Sequence, residues 1–189
     1  MYNIPGLTSN RIQKFLNKIC SNKKSYLEIG SFLGATGVSA LDGNKLNAYF
    51  VDKWKEDIQS ANGEIELPKT NKQTFIENIK KYKGENTISI FDCDLFEVDI
   101  SLIKNIDVFF YDGPHDFYNT SKAVQYYSKT FSKECILIFD DANFDGVVHG
   151  AKDGIQKSNL NIKYERILLT ETPEDKNDLW NGLFIVLIN

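Results

Sequence analysis

Residues 26–52, YLEIGSFLGATGVSALDGNKLNAYFVD, decide the fold, because they have the pattern of a strand, a glycine-rich turn, a helix and a second strand. The first strand is the apolar run 26–29, and the second, 48–51, ends at Asp52. Gly30 and Gly34 lack side chains, so the backbone between them can approach a ligand closely at a helix N-terminus. The pattern therefore predicts a nucleoside-binding unit of an α/β sheet.

The glycine spacing separates this turn from a dinucleotide site. Pyrophosphate binding requires G-x-G-x-x-G, whereas Gly30 and Gly34 stand four residues apart. Glu28, at the end of the first strand, would repel a pyrophosphate and suits a cationic ligand. Asp52 follows Glu28 by 24 residues (52 − 28), close to the roughly 20 at which an acid binds ribose in dinucleotide folds. The sequence thus argues against a nicotinamide-dependent oxidoreductase, but Asp52 still stands where an acid would bind ribose.

The E-x-G-x-x-x-G pattern, followed by an acid at the end of the next strand, resembles the first motif of class I S-adenosylmethionine-dependent methyltransferases. The resemblance implies that Gly30, Ser31 and Gly34 lie beside the amino acid part of the cofactor, and that Glu28 also belongs to the cofactor site. It implies that Asp52 binds the ribose hydroxyls. Taken alone, the two glycines are also compatible with an ordinary turn.

Length and composition indicate one compact domain over residues 1–189. A chain of 189 residues, 42% of them hydrophobic, can bury a sizeable core. The net charge of −4 and pI near 5.3 argue against nucleic-acid binding by phosphate neutralisation. The lysines between residues 69 and 83 are interpreted as a solvated helix face. No apolar run approaches the roughly 20 residues of a membrane span, and the N-terminus lacks a signal-peptide core. We therefore expect a cytoplasmic protein without a membrane partner.

Cysteine spacing predicts neither a disulfide framework nor a zinc site. Cys20, Cys93 and Cys135 are odd in number and form no C-x-x-C pair. They are expected to be reduced thiols in or near the core.

Alternating helical and strand patterns predict a doubly wound α/β fold. The first predicted helix is capped by Thr8 or Ser9 and ends near Cys20, and the second follows Gly34 and ends near Leu41. The others are a segment with Phe75, Ile76 and Ile79 on one face and residues 123–131 and 147–157. The predicted strands are residues 26–29, 48–51, 87–91, 108–111, 136–139, 164–169 and 183–188. The last two strands have no helical pattern between them, so they should pair antiparallel. The result is a Rossmann-like, seven-stranded sheet, mostly parallel with an antiparallel C-terminal strand, helices on both faces, and ligands at the carboxyl strand ends.

Acidic residues follow two of these strands. Asp112 comes directly after residues 108–111, and Asp140 and Asp141 come directly after residues 136–139. Adjacent parallel strands release these carboxylates at one edge, where they repel each other unless a cation or proton lies among them. Oxygen ligands of this kind suit Mg²⁺, Ca²⁺ or Mn²⁺. The alternative is that Asp141 or Asn143 caps the next helix.

The D-G-x-H pattern of residues 112–115 and the acid pair after the fifth strand resemble the metal-dependent O-methyltransferases. Within that group the pattern most resembles the bacterial branch that methylates sugar hydroxyls on natural products, such as macrolide sugars. The resemblance implies that Asp112, Asp140 and Asp141 are the metal ligands, with Asp112 also next to the cofactor and the chemistry, and His115 the general base. An imidazole can accept a hydroxyl proton near neutral pH. His115 could instead orient its own turn, and His149 is expected at the surface or in packing.

Two further residues are predicted near adenine. Asp94 follows the third strand where this family contacts the base, and Asp92 is the alternative because the strand end is uncertain by a residue or two. Trp54, two residues after Asp52, is expected to lie against the adenine face or to pack in the core.

Together these features predict methyl transfer from S-adenosylmethionine to a hydroxyl of a small molecule or sugar, assisted by a divalent metal such as Mg²⁺ and by His115. The alternatives are a metal-independent methyltransferase of the same fold and a non-catalytic cofactor-binding module. The chain offers only about 20 residues before the first strand and the stretch 54–68 to cover a substrate. We therefore expect either a large, exposed acceptor or a second subunit, in a homo-oligomer, that completes the pocket.

Overall fold

The computed structural model of the protein describes residues 4–54 and 70–189, and its centre is a seven-stranded sheet. The strand order is β3-β2-β1-β4-β5-β7-β6. The strands are β1 Ser25–Ile29, β2 Asn47–Asp52, β3 Thr87–Asp92, β4 Ile106–Tyr111, β5 Phe131–Asp140, β6 Ile162–Leu168 and β7 Leu183–Ile188. Strands β1 to β5 pair in parallel, and β7 pairs antiparallel with both β5 and β6. The predicted fold class is confirmed.

Five helices cover the two faces of the sheet. They are α1 Asn10–Cys20, α2 Ala35–Leu41, α3 Asn71–Tyr82, α4 Phe117–Tyr127 and α5 Asp145–Lys157. Short 3₁₀ turns at Ile100–Leu102 and Ser128–Thr130 complete the connections. No helix in the part of the chain that the structure describes is long and apolar enough to cross a membrane.

The hydrophobic core has two halves because successive strand side chains point to opposite faces of the sheet. On one face, Leu27 and Phe109 pack with residues of α4 and α5. On the other face, Tyr26 and Phe110 pack with residues of α1, α2 and α3. Strand β1 is buried along its whole length, as expected of a central parallel strand covered on both faces. The three cysteines are free thiols, as expected.

Helix α4 differs most from its predicted bounds of 123–131. It begins at Phe117, where the Asp116 side chain accepts a hydrogen bond from the Asn119 N–H at 2.9 Å and caps the helix. Phe117 and Tyr118 are exposed, so the first turn carries no apolar stripe that would reveal it in the sequence. Phe131 belongs to β5, which starts five residues before the predicted strand.

The other helical predictions agree with the structure. Ser9 caps α1 by accepting a hydrogen bond from the Ile12 N–H at 3.2 Å. Phe75 and Ile79 are the buried residues of α3. Lys80 and Lys81 are exposed on that helix, as predicted for a solvated face. Most of the stretch 54–68 and Lys69 lie outside the described residues.

Gly30 lies where the carboxyl ends of β1, β2 and β4 meet. Its N–H donates to the carbonyl oxygen of Val51 at 2.9 Å, and the Asp112 N–H donates to the carbonyl oxygen of Ile29 at 2.9 Å. Gly30 has a φ of +84°, and a Cβ built on it would lie 1.9 Å from the carbonyl oxygen of Asp112. No side chain fits there, so glycine is required for β1 and β4 to end side by side.

We predict that Gly30→Ala destabilises the protein much more than Gly43→Ala. Both glycines have positive φ, 84° and 67°, so both variants incur left-handed strain of about 1–2 kcal/mol. A Cβ on Gly43 meets nothing within 4 Å, whereas Gly30 adds a backbone clash that should cost about 1–3 kcal/mol more. Urea denaturation of both variants measures the difference. Equal losses of unfolding free energy would show that the strand ends can move apart.

Candidate active site

A cavity of about 520 Å³ opens at the carboxyl ends of the parallel strands, within the usual size of small-molecule sites. The loop after β1, the ends of β2 and β4, and the segments after β3 and β5 contribute to its walls. Its polar or flexible lining includes Gly30, Ser31, Asp52, Lys53, Cys93, Asp94, Asp112, Gly113, His115, Asp141, Glu174 and Asn181. Its apolar lining includes Leu7, Ile29, Phe32, Leu33, Val51, Leu95, Pro114, Phe144 and Trp180.

Asp52 is placed by the turn that it faces. Its Oδ2 accepts a hydrogen bond from the Phe32 N–H at 2.8 Å, and its Oδ1 accepts one from the Trp54 N–H at 2.7 Å. A carboxylate has about four acceptor positions, so each oxygen keeps one for a ligand. Asp52 therefore ties the glycine turn to β2 and still presents acceptors to the cavity.

The glycine turn lines the same end of the cavity. Gly34 is left-handed, with a φ of +87°, and forms the N-cap of α2. Because it has no side chain, it leaves room for the Phe75 ring, which would lie 3.1 Å from a Cβ at this position. Ser31 is 2% exposed and lines the cavity, together with Phe32 and Leu33, two residues that the motif alone did not single out.

Trp54 is a core residue, which corrects the placement against adenine and agrees with the packing alternative. Its side chain is 7% exposed and is not among the residues that line the cavity. The ring packs against Phe75 with centroids 4.8 Å apart, and its Nε1–H donates to the carbonyl oxygen of Phe32 at 2.7 Å. Trp54 thus supports the turn from below.

Glu28 also lies beneath the cavity and does not line it, which corrects its placement as a ligand-contacting residue. The side chain is fully buried and accepts hydrogen bonds from the Tyr26 hydroxyl and, at 3.2 Å, from the Thr36 hydroxyl. Burial raises its pKa from 4.5 to about 8, although these two hydrogen bonds act in the opposite direction. At neutral pH the carboxyl group is mostly protonated, so it is not a charge that attracts a cation.

Asp94 lines the cavity and Asp92 does not, so the geometry favours Asp94 of the two candidates after β3. Asp94 Oδ1 accepts a hydrogen bond from the Phe96 N–H at 3.1 Å, and its Oδ2 lies 3.9 Å from Lys53 Nζ. Asp92, the last residue of β3, instead forms an ion pair with Lys72 on α3 at 2.5 Å.

Three titratable residues meet at the other end of the cavity. One ligand atom from each of Asp112, His115 and Asp141 lies within 4.8 Å of the others. His115 Nε2 is 2.7 Å from Asp141 Oδ2 and 4.0 Å from Asp112 Oδ1. The imidazole stacks on the Phe144 ring with centroids 5.3 Å apart and planes at 21°. The structure therefore brings together the predicted base and two of the three predicted metal ligands.

Asp140, the third predicted ligand, is outside this group of three. It is 2% exposed, its Oδ1 accepts a hydrogen bond from the Asp141 N–H at 2.9 Å, and it does not line the cavity. Its Oδ2 is buried and has no hydrogen-bond partner among the described residues. A buried carboxylate oxygen without a donor is unstable as an anion unless a proton or a cation is nearby.

The electrostatics of these acids show an excess of negative charge. Burial raises the pKa of Asp112 well above its ordinary value, and the charges of Asp140 and Asp141 raise it further. Burial and the charge of Asp141 also raise the pKa of Asp140. The hydrogen bond to Asp141 raises the pKa of His115, partly offset by burial. The neighbouring acids therefore make the His115 imidazole a stronger proton acceptor.

Neither Asp141 nor Asn143 caps the helix that follows β5, which was the alternative to metal binding. Helix α5 has Phe144 at its N-cap position and no side-chain cap. The Asn143 side chain instead bridges to Thr170, donating to its carbonyl oxygen at 2.8 Å and accepting from its N–H at 3.1 Å. His149 is exposed on α5, as expected.

The connection between β6 and β7 forms a wall of the site that the sequence did not reveal. Glu174, Trp180 and Asn181 line the cavity from this connection, and Gly6, Leu7 and Thr8 near the N-terminus line it as well. Residues 6–8 belong to the N-terminal stretch expected to cover a substrate. The β6–β7 connection lacks a periodic pattern, so no local signal marks it as part of the site.

The model of the methyltransferase domain family matches residues 27–142, more than half of the chain. None of the curated proteins compared with this chain matches it.

Solved structures share the fold at low identity. A Klebsiella pneumoniae protein proposed to be an O-methyltransferase has a TM-score of 0.65 and 15% identity over 98% of this chain and 84% of its own. The Bacillus cereus O-methyltransferase in complex with S-adenosylhomocysteine has a TM-score of 0.64 and 14% identity, over 99% and 85%. A Pyrococcus horikoshii protein proposed to be an RNA methyltransferase has a TM-score of 0.57 and 14% identity, over 94% and 79%.

We predict that Glu28→Gln gains stability relative to the natural chain as the pH rises. Unfolded Glu28 ionises near 4.5, whereas the folded residue keeps its proton up to about 8. Between these values the folded state binds the additional proton, so stability falls with rising pH, by about 1 kcal/mol per pH unit from this residue. Glutamine has no such proton. Urea denaturation from pH 5 to pH 8 should show a growing difference, and parallel curves would contradict the raised pKa.

Proposed function

Because the chain belongs to the methyltransferase domain family, we propose that it transfers a methyl group from S-adenosylmethionine to a hydroxyl group of a small molecule or sugar. One observation carries this proposal: Asp112, His115 and Asp141 converge at one end of a cavity whose other end holds Asp52 and Asp94. The first group suits activation of an acceptor, and the second suits binding of a nucleoside.

The residues for the cofactor follow the cavity wall. Asp52, with a free acceptor position on each oxygen, binds the two ribose hydroxyls. Asp94 accepts from the adenine amino group, with Leu95 and Cys93 beside the base. Gly30 and Ser31 face the amino acid part, near the N-terminus of α2. When bound, S-adenosylmethionine supplies a methyl group on a positively charged sulfur, and the surrounding carboxylates favour that charge.

The proposal includes a divalent metal. Asp112, Asp140 and Asp141 offer carboxylate oxygens, and the buried Oδ2 of Asp140 lacks a partner among the described residues. Hard oxygen donors of this kind suit Mg²⁺ better than softer metals. A bound Mg²⁺ would act as a Lewis acid on the acceptor oxygen. These three residues are the proposed ligands.

His115 is the proposed proton acceptor. In the structure its Nε2 faces Asp141 Oδ2 at 2.7 Å, so Nδ1 is the nitrogen left to take a proton. The acceptor hydroxyl proton would pass to Nδ1, and Asp141 would stabilise the resulting imidazolium. The stacked Phe144 ring would restrict rotation of the imidazole during this transfer.

A metal-independent methyltransferase is the second candidate, because Asp141 and His115 already contact each other and a carboxylate–imidazole pair can accept a hydroxyl proton without a metal. Oδ1 accepts from the Asn181 side chain at 2.8 Å and Oδ2 faces His115 Nε2. In this case the Asp141–His115 pair works alone. Transfer that survives a chelator would favour this candidate, and cofactor binding without transfer to any acceptor would favour a non-catalytic module.

The acceptor is proposed to be small and not a nucleic acid. The chain carries a net charge of −4, Asp112 and Asp141 lie at the acceptor end of the cavity, and Glu174 also lines the cavity. A polyanion would be repelled there. Residues of this chain line the acceptor end of the cavity. The proposal therefore does not require a second subunit.

We predict that Asp52→Asn weakens binding of S-adenosylhomocysteine by about 10-fold or more, because charged acceptors of ribose hydroxyls are lost. Calorimetric titration measures the affinity. Asp92→Asn is the matched control, since this residue ends the neighbouring strand outside the cavity. Equal affinities in the two variants would remove Asp52 from the cofactor site, and no binding by the natural chain would refute the cofactor assignment.

We predict that His115→Gln keeps Mn²⁺ and cofactor affinity and lowers the transfer rate by about 10²-fold or more. Asp112→Asn and Asp140→Asn should instead weaken Mn²⁺ binding and keep the cofactor. Titration with Mn²⁺ and an acceptor screen measure these effects, with exposed His149→Gln as the control. Loss of Mn²⁺ affinity in His115→Gln would make His115 a ligand and not the base.

A further inference from the structure

Asn181 makes a side-chain contact with Asp141 that neither the motifs nor the family pattern assigns. Its Nδ2 donates to Asp141 Oδ1 at 2.8 Å, across 40 residues of sequence. Asn181 lines the cavity and is partly buried, and the Asp141 side chain is 5% exposed. A hydrogen bond to a buried carboxylate is worth more than one at the surface, because water competes less for either partner.

The backbone around Asn181 fixes the same segment. The Asn143 N–H donates to the carbonyl oxygen of Asn181 at 2.8 Å, and the Ala142 N–H donates to that of Gly182 at 3.3 Å. Asp141 itself is left-handed, with a φ of +60°. The β6–β7 connection therefore holds the turn after β5 through its backbone and holds the Asp141 carboxylate through the Asn181 amide.

The second oxygen of Asp141 faces the imidazole. With Oδ1 held by Asn181, Oδ2 lies 2.7 Å from His115 Nε2. The terminal torsion of an aspartate is broad, so a carboxylate held at one oxygen alone can turn readily. Two donors on opposite oxygens define one orientation. Asn181 thus indirectly sets the direction in which His115 points.

We propose that Asn181 is a positioning residue that fixes the Asp141 carboxylate and, through it, the His115 imidazole. The proposal rests on the proposed function in that His115 serves methyl transfer. An amide fits this role because it donates without adding charge. An aspartate there would repel Asp141, and a lysine would neutralise a carboxylate that His115 requires as its partner.

The contact can be tested without cofactor, metal or acceptor. The chain has two histidines, His115 and His149, so side-chain nitrogen–proton NMR spectra contain two imidazoles. In the natural chain, His115 should show an Nε2–H signal protected by Asp141, identified by its loss in His115→Gln. Asn181→Leu should shift this signal or broaden it through exchange with water, while the His149 signals stay in place.

Two controls make the result decisive. Asn177→Leu changes an exposed asparagine of the same connection and should leave the His115 signal unchanged. Asn181→Ala removes the amide without introducing a bulkier side chain, so it replaces Asn181→Leu if that variant does not fold. A folded Asn181 variant with the His115 signal of the natural chain would overturn the proposal. Absence of a protected Nε2–H signal in the natural chain would overturn it as well.

Transfer kinetics then separate this inference from the proposed function. Asn181→Leu should lower kcat by about 10-fold to 100-fold, as for other residues that orient a functional side chain. The KM for S-adenosylmethionine should change less than 2-fold, because Asn181 is at the acceptor end. An unchanged kcat despite an altered His115 signal would also overturn the positioning role. If no acceptor is methylated by the natural chain, the proposed function fails, and the NMR result still decides whether Asn181 fixes His115.

Discussion

The close approach of β1 and β4 at their carboxyl ends is the constraint on which the site depends. The Gly30 backbone lies against the carbonyl oxygen of Asp112 so closely that no Cβ fits between them. Because β1 leads into the glycine turn and β4 leads into Asp112, this contact holds the glycine turn directly beside Asp112. A methyl donor and its acceptor have to meet within a few ångströms for transfer, since reacting atoms start about 3–3.5 Å apart. The sheet therefore provides the alignment before any ligand arrives.

This geometry concentrates acidic groups, and the chain stabilises each of them differently. Glu28 is buried with a raised pKa, so it keeps its proton at neutral pH. Asp52 accepts two backbone N–H groups, and Asp141 accepts the Asn181 amide and faces His115. Asp140 keeps an oxygen without a donor among the described residues. Repulsion that remains after these contacts favours a cation in the cavity, which is the physical basis for proposing both a metal and a positively charged cofactor.

Sequence patterns predicted those parts of the site that follow local rules. The apolar runs of β1, β4 and β5 are buried central strands, so their ends and the acids after them could be located directly. Trp54 could not be placed, because whether it faces the cavity or the core depends on Phe75, which is distant in sequence. Asn181 gave no signal for a similar reason: its partner is 40 residues away, and its own segment has no periodicity. The start of α4 was missed because Phe117 and Tyr118 are exposed.

Asp52 and Asp141 carry the same chemical group but differ in what holds it. Asp52 is held by backbone N–H groups from the turn that it faces, so its orientation follows from the β2 end and the glycine turn alone. Asp141 is held by two side chains from separate segments, the Asn181 amide and the His115 imidazole. The imidazole can gain or lose a proton. A carboxylate with backbone donors is suited to binding a neutral hydroxyl pair, because its surroundings do not change. A carboxylate whose partner titrates is suited to proton transfer, and this difference is the physical reason for proposing binding at one end of the cavity and chemistry at the other.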